Sequence, residues 1–473
     1  MKQSVSEMAG RFAPVRLQFG SARLLWVCLF AAILPAVRAQ TNAPMVATNA
    51  PAWITRPLSL ADALNVALAQ NGTILKAKND LEATYGLVVQ TRAIVIPKLQ
   101  ATGEYRKIDP GSVEQFGSTS LPNQSWDTGF RVVQSVYEGG RMASAIRTAR
   151  LTREQALLQY DAVVADTLLA TRVAYYDVLV AAQQIVVNEA SVNLLARELE
   201  DQQRRYDAGT VPRFNVLRAE VAVANARPAL IRARNAWRIA KNVLSNLLGY
   251  DLPRDIWDNV PLQLTDQLEA PPYQIDLPAA VQQAIEKRPE LGALRKAEQL
   301  QQENIINARA GYLPSLQAFA GYGWRSTQFT STDVGDDLHG WNFGGQVSWD
   351  IFDGMLTRGK VIQAKALHDK SKTELADTAR RIELEVRTAY STFVEAREVL
   401  ESQSKVQEQA EEALRLANAR ADAGTATQLD VLDAETSLTQ ARTTQVQALH
   451  DYAVARARLE RAIGQDMVRQ PGK

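Results

Sequence analysis

The chain has 473 residues, of which 46% are hydrophobic and 22% charged, and its formal net charge is +1 at pH 7. The first 39 residues contain five basic residues and one acidic residue, which leaves 48 basic and 51 acidic residues in the rest of the chain. This near-neutral balance, without a basic stripe, argues against a protein that binds nucleic acid.

The N-terminus has the pattern of a secretory signal. Basic residues precede an uncharged apolar run over 24–34, and the small-residue site Val37-Arg38-Ala39 follows. The run is too short to span a membrane, so we predict a cleaved signal peptide over 1–39. Cys28 is the only cysteine and lies within it. We therefore predict an exported chain with neither a disulfide nor a lipid anchor.

After a proline-containing extended leader predicted over 40–56, two segments show strand-like alternation. Apolar Leu99, Ala101 and Tyr105 alternate with polar residues, and Trp126, Phe130 and Val132 do the same further on. The pattern predicts strands over about 98–108 and 125–137. A soluble sheet with one wet face gives the same alternation. The export signal favours strands of a transmembrane barrel.

A very long helical segment follows these strands. The 68 residues between Gly140 and Gly209 contain neither Gly nor Pro. They predict a helix over 141–207, roughly 100 Å long at about 1.5 Å per residue. A returning helix is predicted over 214–248. Apolar residues recur at mixed three- and four-residue steps, which indicates a coiled-coil-like seam with neighbouring helices. No later run approaches about eighteen apolar residues, so no transmembrane helix is predicted.

Residues 251–274 contain four prolines and are predicted to form an irregular linker. The same order of patterns then returns: strands over about 315–326 and 341–352, helices over 357–422 and 427–463, and a tail over 466–473.

The second half of the chain repeats the first. The segments Arg205–Glu220 and Arg420–Glu435 share nine of sixteen residues at a constant offset of 215. Other segments match in the same order, including Arg92–Tyr105 with Arg309–Tyr322. Ordered similarity of this extent predicts two tandem repeats, over 57–250 and 275–465.

Four strands cannot close a transmembrane barrel, because the smallest such barrels have eight. Open edges are excluded from lipid, so the chain must oligomerise to insert. Eight, twelve or sixteen strands, from two, three or four copies, remain open on this argument. A barrel that opens onto helices of this length would form a conduit.

The duplicated order of strands and long helices, with tips AGTVPRFNVL and AGTATQLDVL, resembles the TolC-like outer membrane efflux protein family. The resemblance covers about residues 57–465. It implies an α+β membrane protein in the Gram-negative outer membrane, extending into the periplasm. A homotrimer would close a twelve-stranded β-barrel, in contact with outer membrane lipid, above a coiled-coil-like helical tunnel.

The function that the resemblance implies is the exit duct of a tripartite efflux pump. Its partners would be a periplasmic adaptor (membrane fusion) protein and an inner-membrane pump, proton-driven or ATP-driven. Two alternatives remain open. One is the outer membrane component of type I protein secretion. The other, from a different class, is a secreted coiled-coil structural or adhesive protein.

The repeated tips are the first candidate site. Gly209 and Gly424 are predicted to end their helices in a left-handed conformation. Thr427 is predicted to cap the next helix in a capping-box-like arrangement with Asp430. The repetition could reflect only what a tight helical hairpin needs. The resemblance implies in addition that the tips dock onto the adaptor, through Gly209, Thr210, Val211, Pro212, Gly424, Thr425 and Ala426.

Asp430 and Asp433 are the second candidate, since residues three apart share a helix face. Their counterparts in the first repeat are Asn215 and Arg218. The resemblance implies an acidic ring at the periplasmic entrance, which would gate the duct and favour cations. Ordinary acidic enrichment near a helix N-terminus is the alternative.

Catalytic and metal sites are not indicated. His339, His368 and His450 are scattered, and no Cys or His cluster has metal-ligand spacing. No phosphate-binding loop or hydrolase motif occurs. We therefore predict a protein that is not an enzyme and has no cofactor.

Overall fold

A computed structural model describes residues 56–112, 115–116, 119–120, 124–251, 260–326 and 337–465. The predicted signal over 1–39, nearly all of the leader over 40–56, and the tail over 466–473 lie outside these residues.

Helices dominate the described chain, and the two halves repeat the same four. Those of the first repeat are α1 (Leu60–Gln70), α2 (Gly72–Arg92), α3 (Arg141–Asp207) and α4 (Arg213–Leu247). Those of the second are α5 (Leu277–Lys287), α6 (Pro289–Arg309), α7 (Leu356–Asp422) and α8 (Gln428–Ile463). α3 and α7 have 67 residues each. With the small sheet described next, this confirms the predicted fold class of long helices with four main strands.

Two short helices precede the strands of each repeat, because a cap interrupts the helical run. The Asn71 side chain accepts hydrogen bonds from the amides of Thr73 and Ile74, which starts α2 directly after α1. In the second repeat Pro289 opens α6, at the first helical position that tolerates proline.

Four strands form one antiparallel sheet. The strands of the chain are β1 (Lys98–Lys107), β2 (Gln115–Phe116), β3 (Thr119–Ser120), β4 (Gln124–Glu138), β5 (Ser315–Ser326) and β6 (Asp337–Ser348). The sheet has the order β1-β4-β5-β6, and β2 pairs with β3 in a separate hairpin that the sequence patterns did not indicate. β6 ends at Ser348, before the predicted end at 352. The reason is that the partner strand β5 begins opposite Ser348, at Ser315, directly after Pro314.

One face of the sheet is apolar across all four strands. Direct cross-strand partners share a face, and the register aligns the rows Leu99, Val132, Ala320, Phe343 and Ala101, Phe130, Tyr322, Trp341. Tyr322 packs edge-on against Trp324 and Trp341. None of the described residues of the chain covers this face: Trp341 is 77% exposed and Phe343 84%.

Each repeat has its own helical core. The first packs α1, α3 and α4 around Tyr175 and Leu244, and the second packs α5, α7 and α8 around Phe393 and Leu459. The linker contributes to both cores: Val260 and Leu262 are buried in the first, where Leu264 pairs with Leu58, and Ala270 and Tyr273 pack against the second.

α3 joins the two repeats. It packs along α2 and α4 of its own repeat and along α6 and α8 of the other. An ion network reinforces this junction, in which buried Arg461 of α8 binds the more exposed carboxylates of Asp166 on α3 and Glu290 on α6. By length and composition α3 also contains a stretch apolar enough to span a membrane, against the expectation of none. Composition gives the same result for a helix packed within a protein.

Candidate functional site at the helical tips

The two tips, residues 208–212 and 423–427, are built on the same turn. In the first, the amides of Gly209 and Thr210 donate to the carbonyls of Tyr206 and Arg205, at 2.8 and 2.9 Å. In the second, Gly424 and Thr425 donate to Ala421 and Arg420, at 3.0 and 2.8 Å. These bonds satisfy carbonyls that a helix end leaves unpaired.

The glycines are required by the backbone and not by lack of space. Gly209 has φ +74° and Gly424 φ +72°, as predicted for left-handed helix ends. No atom lies within 4 Å of where a Cβ would stand at either position. Glycine therefore serves the conformation alone, because other residues strain in this region.

The tips differ in how the next helix starts. At the second tip, Thr427 and Asp430 form the predicted capping box: the Asp430 carboxylate accepts the Thr427 amide at 2.7 Å, and the Thr427 hydroxyl accepts the Asp430 amide at 3.4 Å. At the first tip Pro212 occupies the cap position and makes no side-chain hydrogen bond. The first helix start thus relies on the fixed φ of proline, and the second on a polar cap.

The acidic pair lies on one exposed side of α8. Asp430 and Asp433 are both exposed, whereas Val431 and Leu432 between them are buried. Hydrogen bonds from the amide and hydroxyl of Thr427 hold the pKa of Asp430 below its usual value. Asp430 is therefore ionised and fixed in the cap, while Asp433 lies about one turn further along the same side.

A cavity of about 550 Å³ lies between the two hairpins at their tips. Val211 of the first tip and Ala426 and Thr427 of the second tip contribute to it. The Gln428 amide nitrogen donates to the Asn215 carbonyl at 3.3 Å, which links the start of α8 to α4. The structure thus brings both predicted docking segments to one end of the molecule, where Gly209, Thr210, Pro212, Gly424 and Thr425 are exposed.

Sequence reasoning missed one titratable residue here. Glu435 is 4% exposed, and its Oε2 has no hydrogen-bond partner. Burial, and then the charge of Glu198 on α3, raise the pKa of Glu435 to about 7. A signal was present, because Glu435 follows Val431 and precedes Leu438 at the spacing of one apolar helix face.

Two of the three histidines lie beside carboxylates, the third, His339, lies beside the Tyr322 ring, and they do not cluster. His368 lies 2.6 Å from Glu298, and His450 lies 2.8 Å from Asp177. Among the residues that the structure describes, no group of three or more His, Cys, Asp or Glu side chains is arranged to hold a metal ion.

Comparison with known families gives a match over both repeats. The model described as "Outer membrane efflux protein" matches residues 63–250 and 280–465.

Curated relatives and a solved structure agree with this match. The chain is 23% identical over 409 residues to outer membrane protein TolC of Vibrio cholerae, covering 86% of this chain and 90% of that protein. It is 27% identical over 286 residues to the alkaline protease secretion protein AprF of Pseudomonas aeruginosa, covering 60% and 59%. A crystal structure of a membrane protein from Pseudomonas aeruginosa has the same fold, with a TM-score of 0.73 at 22% identity, covering 87% and 92%.

Proposed function

The chain belongs to the outer membrane efflux protein family, and from that premise we propose that three copies form a closed duct that a periplasmic adaptor couples to an inner-membrane transporter. The predicted family, the outer membrane location and the role in efflux are confirmed by the family match and the relatives.

The open sheet is the observation that carries the oligomer, and the family resemblance gives the number of copies as three. β1 and β6 are its two edges, and each has a neighbour on one side only. Unpaired backbone groups in lipid cost several kcal/mol each, so these edges must pair within the membrane. Pairing β6 of one copy with β1 of the next closes the sheet. With four strands per copy, three copies give a twelve-stranded barrel whose apolar face contacts lipid.

Exposed apolar residues on the long helices support side-by-side contact between copies. α4 carries a stripe at helical spacing that includes Phe214, Leu217 and Val221, each 47–66% exposed. α7 carries exposed Ile362 and Leu384. Stripes of this kind are typical of interfaces, and α4 of one copy against α7 of the next would continue the helical wall.

The tips are the proposed contact with the adaptor. Of the seven docking residues predicted from the sequence, Val211 and Ala426 line the cavity between the hairpins, and the other five are exposed. Val211 and Ala426 give it an apolar part, and Arg205, Arg218 and Glu198 a charged part. A helical hairpin of a partner is the occupant that this mixed groove would suit.

The acidic pair is the proposed selectivity ring. Asp430 is fixed by the cap, and Asp433 lies on the same side, so a trimer would present six carboxylates near one end of the duct. Asp433→Asn should reduce the preference for cations in planar bilayers, because carboxylate rings attract cations. Glu220→Gln, which removes an exposed carboxylate of the first repeat, is the matched control. An unchanged reversal potential in Asp433→Asn would reject the ring.

Protein secretion is a second candidate function, favoured by one observation. AprF, whose name refers to the secretion of alkaline protease, aligns with more than half of the chain. Efflux is favoured over it because the efflux family model spans both repeats. The third alternative, a secreted coiled-coil protein, does not need the four-stranded sheet.

The closed trimer can be tested in membranes. Outer membrane fractions should contain an oligomer that resists sodium dodecyl sulfate and dissociates on boiling. Replacing Gln346 in β6 with proline should abolish it, since proline removes a backbone donor from the strand. A chain recovered only as a soluble monomer would refute the proposal.

Docking is tested by capture of the cognate adaptor, which Gly424→Pro trimers should lose.

A further inference from the structure

The two repeats meet along a contact between α3 and α8, which run antiparallel. Near its middle the Thr439 hydroxyl donates to the Ser191 hydroxyl at 3.1 Å. Further from the tips, His450 Nε2 lies 2.8 Å from the Asp177 carboxylate. At the tip end the contact includes Glu198 of α3 and buried Glu435 of α8. Separation of the two hairpins would have to start at this end.

Three buried oxygen atoms at the tip end have no hydrogen-bond partner among the described residues: Gln202 Oε1, Gln428 Oε1 and Glu435 Oε2. Neither glutamine donates to Glu435 Oε2, because Gln202 Nε2 donates to Glu198 at 2.8 Å and Gln428 Nε2 to Asn215 at 3.3 Å. Buried polar groups are normally paired, so these unpaired oxygens need an explanation.

A proton on Glu435 would supply a hydrogen-bond donor beside these unpaired oxygens and would remove a negative charge at the same time. It turns one unpaired acceptor into a donor, and it removes one of two negative charges that face each other across the contact. We propose that the tip end of the α3–α8 contact is a proton-controlled latch, in which protonated Glu435 allows α8 to lie against α3 and loss of the proton separates the second hairpin from the first.

The direction of the pH effect follows from the packing. Burial, and then Glu198, raise the pKa of Glu435 from 4.5 to about 7 in the packed state. Once separated, Glu435 is in water and its pKa returns toward the ordinary value. The packed contact is therefore fully favoured below about pH 4.5 and loses this contribution as pH rises to about 7. Within that range each pH unit changes the ratio of packed to separated contact by up to about tenfold.

The other charged groups near the tip end do not neutralise Glu435. α7 packs on α8 here through apolar residues, chiefly Leu414 against Val431 and Leu438. The charged groups of the surrounding elements are Asp201 and Arg205 of α3, Arg218 of α4, Glu411 of α7, and Asp433 and Arg442 of α8. Asp201 pairs with Arg205, and Glu411 pairs with Arg442. The charge that acts on Glu435 is that of Glu198.

His450 acts on the same contact in the same direction. Burial alone would lower its pKa, but hydrogen bonds to Asp177 and Asp451 outweigh burial and raise it. Protonated His450 therefore also holds α3 and α8 together, and its contribution is lost as pH rises through and beyond the usual range of histidine. A test of the latch must separate Glu435 from His450.

The test measures the distance between spin labels on the two helices. Asn193→Cys of α3 and Gln440→Cys of α8 are exposed positions beside the contact. Trimers would contain one labelled protomer each, so that a single distance is recorded. We expect a short distance at about pH 5 and a longer, broader distribution at about pH 8, with most of the change lost in Glu435→Gln. Glu220→Gln, the counterpart in the first repeat, should behave as the unsubstituted protein.

Two outcomes overturn the latch: a distance that does not change with pH in the unsubstituted protein, or an unchanged response in Glu435→Gln. Should Glu435→Gln fail to fold, Glu198→Gln decides, because removal of the opposing charge must reduce the amplitude of the pH response. The latch itself does not depend on the proposed channel function. Only its predicted consequence, a conductance that rises with pH, rests on that function. A conducting trimer without the distance change refutes the latch and leaves the proposed function standing.

Discussion

The two hairpin tips form the same turn, but the helices that follow them have different surroundings. Both tips have a left-handed glycine and the same pair of backbone hydrogen bonds. Beyond them α4 packs along α3, while α8 packs between α7 and α3. Glu220 of α4 is consequently exposed, and its counterpart Glu435 is buried. The residues that the backbone requires are therefore the same in both repeats, whereas the burial of an identical glutamate depends on the helices packed around it.

The largest expected effect tests whether the two cores are equivalent. Leu244 and Leu459 are counterparts, and both are fully buried. Leu244→Ala and Leu459→Ala should each lower the free energy of unfolding by about 2–5 kcal/mol, because each leaves a cavity. The measurement is guanidinium unfolding in detergent at fixed protomer concentration. Effects that differ by more than about twofold would show that the cores are not equivalent.

The next largest effect should appear in one repeat only. Arg461 is buried between Asp166 and Glu290, while its counterpart Asn246 is exposed. Arg461→Ala should cost about 1.5–3 kcal/mol, because it removes charge-assisted hydrogen bonds from a buried guanidinium, although Arg288 still contacts Glu290. Asn246→Ala should have little effect on unfolding. Equal costs would contradict the assignment of the ion network to the second repeat.

The same network has a pH dependence of known sign. Burial alone would raise the pKa of Glu290, but Arg461 outweighs it, so this pKa is lowered below 4.5. The resulting stability is present above about pH 4.5 and is lost as pH falls below it. Unfolding midpoints of the unsubstituted protein should therefore drop in acid, and those of Arg461→Ala should drop less.

The tip glycines should respond alike. The alanine side chain meets no steric obstacle in Gly209→Ala or Gly424→Ala. Each substitution should therefore lower the local stability of its tip by about 1 kcal/mol, the strain of alanine in a left-handed conformation. Hydrogen exchange of the tip amides reports this local stability. A much larger loss of stability at one tip than at the other would mean that a contact in the assembled trimer restricts that glycine.

Substitutions of the two N-cap residues should affect the tips differently. Thr427→Ala removes half of the capping box and should cost about 1 kcal/mol, whereas Pro212→Ala removes no side-chain hydrogen bond and should cost less. Exchange rates in the first turns of α4 and α8 measure the two effects. Equal losses would show that the capping box contributes nothing beyond the turn itself.

The smallest effect concerns the start of α7. Met355 has φ +71°, while its counterpart Gly140 has φ +94°. Met355→Gly should stabilise the chain by about 0.5 kcal/mol. Glycine removes the strain of a left-handed backbone, and the greater entropy of glycine in the unfolded chain offsets part of this gain. A destabilised variant would show that the exposed Met355 side chain makes a contact in the assembled protein.

The features predictable from the sequence were those with local causes. The glycines, the capping box and the alternation of the strands depend on neighbours within a few residues. The burial of Glu435, the partners of Arg461 and the inclusion of Val260 and Leu262 in the first core depend on helices far apart in the sequence. The helices α1 and α2, which only Asn71 separates, were not among the elements predicted with bounds.

The unpaired edges of β1 and β6 impose an order on biogenesis. A single protomer that entered the bilayer would carry two rows of unbonded backbone groups into lipid, so insertion is blocked until its neighbours arrive. The membrane therefore rejects incomplete assemblies, and the rate of insertion should rise steeply with protomer concentration. Until then the exposed aromatic face of the sheet is an aggregation hazard.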